Sequence, residues 1–154
     1  MQALFINPFL HAIQDVMTTM ARIDATPDKP TLKRDSHAFG DVTVLIGLSD
    51  KQAQGSLAIS FHESVILDIT RRMIGERQSQ LNDTITDMVG EITNIVSGGA
   101  KRALSEQGYD FDLAIPGVIT GKGHEIRHPH SSKTILLTFT TEAGRFFVEI
   151  NFRE

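Results

Sequence analysis

Two polar side chains in the middle of the chain, Glu91 and Asn94, have the types and the spacing to act together on a ligand. On a helix, positions i and i+3 project side by side from one face. A carboxylate can pair with a basic group, and a carboxamide donates and accepts hydrogen bonds without a protonation requirement. The same two residues also fit an ordinary solvated helix face, and their spacing alone does not choose between these interpretations.

The segment that must position this pair, residues 83–105, has the periodicity of an amphipathic helix. At about 100° per residue, one broad face collects the apolar residues Ile85, Met88, Val89, Ile92, Ile95, Val96, Ala100 and Ala103. The opposite face collects Asp87, Glu91, Asn94, Gly98, Lys101 and Ser105. Gly90, Gly98 and Gly99 each cost about 1 kcal/mol relative to alanine in a helix interior. Small residues beside Glu91 and Asn94 would let the backbone of another protein come close.

The composition indicates one soluble domain covering residues 1–154, with 40% hydrophobic and 22% charged residues. The net charge of -4 and the lack of a basic stripe exclude a typical nucleic-acid or anionic-membrane surface. No run approaches the roughly 20 apolar residues of a membrane span, and the apolar N-terminus lacks the basic leader of a signal peptide. The chain has no cysteine, which excludes disulfides and thiolate metal sites. We therefore expect a cytoplasmic protein.

The first third of the chain predicts a helix followed by an irregular arm. Asn7 and Pro8 form a good helix start, as a side-chain cap before a residue with preset φ. The helix is expected to fade before Pro27, with its apolar face formed by Phe9, Ile13, Val16, Met17, Met20 and Ile23. Residues 26–37 hold two prolines and many charges. They are predicted to be a loop or connecting arm with room for a short strand.

The rest of the pattern predicts an α/β (α+β) domain in the order α-β-β-α-α-β-β-β. Alternating apolar residues indicate strands at 42–48 and 57–61, and helical spacing over 62–74 stops at Gly75, a candidate left-handed cap. A strand around Pro116 needs a bulge or an edge position, and residues 135–152 predict a hairpin. Strands joined by tight turns favour a mostly antiparallel sheet with long helices packed on it.

The helix resembles the active-site helix of the CheC/CheX/FliY family of chemotaxis phosphatases. The resemblance lies in Asp87-x-x-x-Glu91-x-x-Asn94, set within Met-Val-Gly-Glu-Ile-Thr-Asn-Ile-Val-Ser-Gly-Gly-Ala-Lys. The segment from Gly40 to Phe61 resembles the family's first β-hairpin, and Pro116 matches a proline of the family. CheX-type proteins carry a single Glu/Asn motif and CheC-type proteins two. Because residues 63–75 contain no second motif, CheX is the better match.

This resemblance implies a CheC-like fold and an enzyme that hydrolyses the acyl phosphate on the aspartate of a CheY-like response regulator. Asn94 would hold the attacking water, and Glu91 would form a salt bridge with the receiver's active-site lysine. Asp87, Gly98 and Lys101 would contact the partner, with Gly98 giving clearance. The chain would need no cofactor of its own, since the receiver supplies Mg²⁺. The resemblance also implies a homodimer, for which the β-rich, apolar residues 135–152 offer support as strands that often need a covered edge.

Two alternatives remain open at this point. A CheX-fold module could bind a receiver as an adaptor or scaffold without hydrolysing anything. His124, His128 and His130 could in principle ligate a metal, but they have no cysteine and no helical spacing, so residues 121–133 are predicted to be a flexible, exposed polar loop. No serine triad can be assembled from the sequence.

Overall fold

The computed structural model describes residues 2–128 and 133–153. Its helices are α1 (Gln2–Asp15), which continues into a π-helical turn (Val16–Met20), α2 (Glu63–Ile74) and α3 (Asp83–Ser105). Its strands are β1 (Thr26–Pro27), β2 (Thr31–Leu32), β3 (Val42–Ser49), β4 (Gln54–Phe61), β5 (Asp112–Leu113), β6 (Gly117–Thr120), β7 (Thr134–Thr141) and β8 (Gly144–Arg153). The predicted order of helices and strands is confirmed. The structure adds two short strands in the arm, β1 and β2, and divides the strand around Pro116 into β5 and β6.

The strands form one sheet in the order β1-β7-β8-β4-β3-β5. Two further strands lie off this path: β2 pairs with β7 at one edge, and β6 pairs with β3 at the other. Every pairing among the described strands is antiparallel, as the tight turns predicted. The predicted break at Pro116 is also confirmed, because β5 and β6 are separate strands that pair with β3 on either side of it.

The core lies between one face of the sheet and the three helices. Alternate residues of the strands point into it, for example Val44 on β3, Ile59 on β4 and Val148 on β8. Because strand side chains alternate, the opposite face of the sheet carries the intervening residues Thr43, Ser56, Ser60, Glu149 and Asn151, all of which are nonetheless buried. The arm and the loop after β6 cover this polar face.

The predicted start of the first helix is wrong. Helix α1 begins at Gln2 and runs through Pro8, which lies inside it. A proline in a helix interior costs about 3 kcal/mol, but Phe5 and Phe9 on either side of it are completely buried, and burying each such side chain contributes about 1.5–3 kcal/mol. The ring of Phe5 stacks on Phe152 with centroids 4.5 Å apart. Packing therefore outweighs the local signal.

The helix ends at Met20, before Pro27 as predicted, but a π-helical turn changes the face that it buries. In the π turn the amide of Ala21 donates to the carbonyl of Val16 at 3.2 Å, an i to i−5 bond. The wider turn rotates the face that follows, since it inserts an extra residue into the helical repeat. Met20, predicted on the apolar face, is consequently 44% exposed, whereas Ile23 beyond the turn is buried.

The edge of the hairpin at residues 135–152, which was expected to need a cover, is covered by the chain's own arm. Strand β8 lies between β7 and β4, and the outer side of β7 is covered by β1 and β2. At the other end of the sheet, among the described residues, β5 and β6 form the edge. It carries Ile115, 93% exposed, and the partly exposed Val118 and Ile119.

Candidate active site

Helix α3 begins at a well-formed cap. The side chain of Asn82 accepts a hydrogen bond from the amide of Ile85 at 3.1 Å, and its backbone is extended. Its amide group also donates to the side chain of Gln78 at 2.7 Å. An N-cap of this kind satisfies one of the free amides of the first turn, so the helix starts at a defined residue, and its exposed face has a fixed orientation.

The inner side of α3 holds the helix on the sheet. Its buried residues are Ile85, Met88, Val89, Ile92, Thr93, Val96, Ser97, Ala100 and Leu104. Two of the residues predicted to be on this face, Ile95 and Ala103, lie at its border, and the sequence pattern missed the polar Thr93 and Ser97. The hydroxyl of Thr93 donates to the carbonyl of Val89 at 2.9 Å, which allows it to be buried without an outside partner.

The outer side of α3 presents the candidate pair to solvent. Asp87, Glu91 and Asn94 are exposed, while Gly98 and Lys101 are half-buried. Within residues 2–128 and 133–153, neither Glu91 nor Asn94 takes part in an ion pair or a side-chain hydrogen bond. The structure thus brings all five predicted residues together on one helix face, with the carboxylate and the carboxamide free to contact a ligand.

Glycines lie one turn before and one turn after Asn94. A Cβ added at Gly90 or at Gly98 would meet nothing within 4 Å. At Gly99, on the side of α3 that faces α1, a Cβ would lie 3.3 Å from the Cβ of Ala12. Helix packing therefore accounts for Gly99, whereas Gly90 and Gly98 leave open space on either side of the carboxamide.

Most described residues of the histidine loop are exposed, as predicted, but the side chains of two of its histidines contact the sheet. The side chain of His128 is only 6% exposed, with Nε2 donating to Oε1 of Glu149 at 3.0 Å and Nδ1 in contact with the hydroxyl of Ser56. His124 contacts the hydroxyl of Thr43. Alternation along β4 and β8 could have indicated these buried partners, because both strands place polar residues between apolar ones. His130 lies outside the described residues.

Ser56, His128 and Glu149 form a chain of contacts that superficially resembles a hydrolase triad. Ser56 is only 1% exposed and lies on the covered face of the sheet, so no substrate reaches its hydroxyl. Glu149 also binds Lys33, with Oε2 and Nζ 2.6 Å apart and both side chains buried. The cluster anchors the arm and the loop to the sheet. In the part of the chain that the structure describes, no three His, Asp or Glu side chains converge as metal ligands.

Comparison with known proteins assigns the chain to a family. A sequence model of the family described as chemotaxis phosphatase CheX matches residues 42–140, which contain α3 and its motif. The chain belongs to the CheX family of chemotaxis phosphatases. It is similar to the CheX protein of Vibrio vulnificus, with 49% sequence identity, a TM-score of 0.91 and coverage of 97% of this chain and 99% of that one. No helix in the described part of the chain is long and apolar enough to cross a membrane.

Two more distant CheX proteins are relevant to partner and activity. The Borrelia burgdorferi CheX, solved in complex with CheY, BeF₃ and Mg²⁺, is 26% identical with a TM-score of 0.81, covering 97% of this chain and 98% of that one. The CheY-P phosphatase CheX of Thermotoga maritima is 23% identical over 128 residues, 82% of each chain. The resemblance inferred from the motif and the CheC-like fold are thus confirmed.

Proposed function

We propose that this protein removes the phosphoryl group from the aspartate of a phosphorylated CheY-like response regulator. The observation that carries the proposal is the exposed pair Glu91 and Asn94, which has no intramolecular partner among the described residues and lies on the capped helix α3 of a CheX-family chain. In the reaction a water oxygen attacks phosphorus, the bond between phosphorus and the aspartyl oxygen breaks, and the products are the free carboxylate and inorganic phosphate.

Asn94 is the residue proposed to position the water. Phosphoryl transfer depends mostly on in-line positioning and charge stabilisation, and a side-chain amide can orient the nucleophile. The carboxamide accepts a hydrogen bond from the water through its oxygen and donates through its nitrogen to a phosphoryl oxygen. Because Asn94 is exposed and lies between two open glycine positions, it can enter a shallow site on another protein without a clash from its own helix.

Glu91 is proposed to dock on the lysine of the receiver's active site. It projects beside Asn94, so a salt bridge there would fix the amide over the phosphoaspartate. Asp87, Gly98 and Lys101 extend the same contact along α3, with Gly98 leaving room for the partner's backbone. The Mg²⁺ needed to neutralise the phosphoryl group belongs, in this proposal, to the receiver. We propose no metal-binding role for the face formed by Asp87, Glu91 and Asn94.

We further propose a single domain, a cytoplasmic location and a homodimer. We treat residues 1–154 as one domain, supported by a core that draws on all three helices and on the long strands. We place the protein in the cytoplasm with its receiver. For the homodimer, the support is the edge formed by β5 and β6, where Ile115, Val118 and Ile119 are exposed and no further described strand pairs. Such an edge is a template for another strand.

The proposal is tested by following the loss of phosphate from a ³²P-labelled CheY-type receiver with the wild type and Asn94→Ala. The wild type should accelerate the loss, and the variant should lose on the order of 10²-fold or more in rate. Asn94→Ala should keep the melting temperature of the wild type, because the residue is exposed. If the wild type binds the receiver but leaves its decay at the spontaneous rate, the chain is an adaptor and the catalytic proposal fails.

A further inference from the structure

Three residues on the exposed side of α3, Asp87, Asn94 and Lys101, follow one another at intervals of seven positions. Seven residues make almost two turns, so successive members are offset by only about 20° and lie about 10.5 Å apart along the axis. The three side chains therefore form one row. The carboxamide of Asn94 lies midway between a negative and a positive charge.

In the part of the chain that the structure describes, both charges of this row lack a counter-charge. Neither Asp87 nor Lys101 joins any ion pair found among residues 2–128 and 133–153. Helix α2 behaves differently, because its Asp68 binds Arg71 at 2.9 Å and Arg72 at 3.0 Å. The charges in the row of α3 are thus available to a partner.

The stability of the helix does not account for the row. Acidic residues near the start of a helix and basic residues near its end are favoured by the macrodipole, but this effect falls off within the terminal turn. Asp87 is the fifth residue of α3 and Lys101 the fifth from its end, so both lie beyond that range. Asp87 also lies four positions before Glu91, a like-charge spacing that weakens a helix slightly.

We propose that Asp87 and Lys101 fix the direction in which α3 lies across the phosphorylated receiver. This inference rests on the proposed function. The partner must then present a basic group to Asp87 and an acidic group to Lys101, each about 10 Å from the phosphoryl group along the helix. A helix turned end for end would still bring Asn94 to the phosphoryl group, because Asn94 is central. It would place like charges opposite each other at both ends of the row.

Direction matters because Glu91 lies on the N-terminal side of Asn94. In the reversed complex its carboxylate would lie on the side of the phosphoryl group away from the receiver's lysine, so the salt bridge that fixes the amide would be lost. Charge complementarity of this kind mainly selects the encounter and suppresses wrong geometries, and it acts less on the reacting atoms. Asp87 and Lys101 are therefore positioning residues.

The test is the charge exchange Asp87→Lys/Lys101→Asp, which preserves composition and net charge. At low salt it should raise the Kd for a CheY-type receiver treated with BeF₃⁻ and Mg²⁺ by about tenfold or more, since like charges then face each other. It should also lower kcat for the phosphorylated receiver, because the exchanged row is complementary to the receiver only in the reversed direction, in which Glu91 is misplaced. The difference should shrink as salt screens the charges.

The matched control is Asp28→Lys/Lys29→Asp, an exchange of the same residue types in the exposed arm. It should leave Kd and KM as in the wild type. An unchanged Kd for the exchange on α3, or a kcat equal to that of the wild type, would overturn the inference. If the wild type binds the BeF₃⁻-treated receiver without accelerating dephosphorylation, the proposed function fails. The Kd of the exchange on α3, compared with that of the wild type, still decides whether the row sets direction.

Discussion

The ammonium of Lys33 lies 2.6 Å from the carboxylate of Glu149, and both side chains are almost completely buried on the face of the sheet opposite α3. Glu149 lies on β8, next to the centre of the sheet, and Lys33 follows β2 in the arm. His128 holds the other carboxylate oxygen from the loop after β6. One carboxylate thus ties two irregular segments to the sheet.

Removal of that carboxylate should destabilise the protein strongly. Glu149→Gln leaves the charge of Lys33 buried without its partner, and such a loss costs about 3–5 kcal/mol. Urea unfolding monitored by circular dichroism measures the effect. The double variant Lys33→Met/Glu149→Gln should recover part of it, because no uncompensated charge is then buried. A loss below about 1 kcal/mol would mean that the pair is solvated and contributes as a surface salt bridge does.

Alanine at Gly98 should have opposite effects on folding and on docking. The added methyl group meets nothing within 4 Å, so the free energy of unfolding should rise by about 1 kcal/mol from helix propensity alone. If Gly98 gives clearance to the receiver, the same variant should bind it more weakly. Isothermal titration with the BeF₃⁻-treated receiver and urea unfolding give the two readouts.

Gly99→Ala is the matched comparison for that variant. The Cβ would lie 3.3 Å from the Cβ of Ala12, so α1 must yield slightly, and the stability gain should be smaller or absent. Affinity for the receiver should stay at the wild-type value, because this glycine faces α1. Equal affinities of the wild type and Gly98→Ala for the receiver would show that Gly98 does not provide clearance for it.

Replacement of the helix cap should weaken α3 without touching the docking face. Asn82→Ala removes the acceptor of the amide of Ile85, at a cost of about 1 kcal/mol. Asn82→Asp should restore most of this, since aspartate caps equally well. Thermal unfolding measures both variants. Phosphatase activity below the melting transition should be retained, and its loss would mean that the first turn contacts the receiver.

Substitutions of Glu91 and of Asn94 should change different constants, Kd for the first and kcat for the second. If Glu91 docks on the receiver's lysine, Glu91→Gln should raise Kd for the BeF₃⁻-treated receiver by about tenfold, the loss of a charge-assisted contact of roughly 1.4 kcal/mol. Asn94→Ala should act mainly on kcat. Stopped-flow dephosphorylation at several protein concentrations distinguishes the two effects. Equal Kd values for Glu91→Gln and the wild type would place Glu91 outside the contact with the lysine.

The candidate site could be predicted from the sequence because it depends on local periodicity. The bounds of α3, the left-handed cap at Gly75 and the exposure of Glu91 beside Asn94 all follow from spacings within one helix or turn. The strands predicted at 42–48, 57–61 and 135–152 follow in the same way from alternation, and the structure extends them by one to three residues. The type of fold was predicted correctly because tight turns leave few ways to pair such strands.

Tertiary structure decided the features that depend on distant residues. Helix α1 continues through Pro8 because Phe5 packs on Phe152, 147 positions along the chain. The side chain of His128 is buried because Ser56 and Glu149 offer it partners on two strands, and no local pattern joins these three residues. The arm pairs with the outer side of β7, so the C-terminal hairpin does not form an edge of the sheet. Local spacing by itself determined that Glu91 and Asn94 lie side by side on the exposed face of α3. Long-range packing decided which other segments are buried, because burial depends on contacts between residues that are far apart in the sequence.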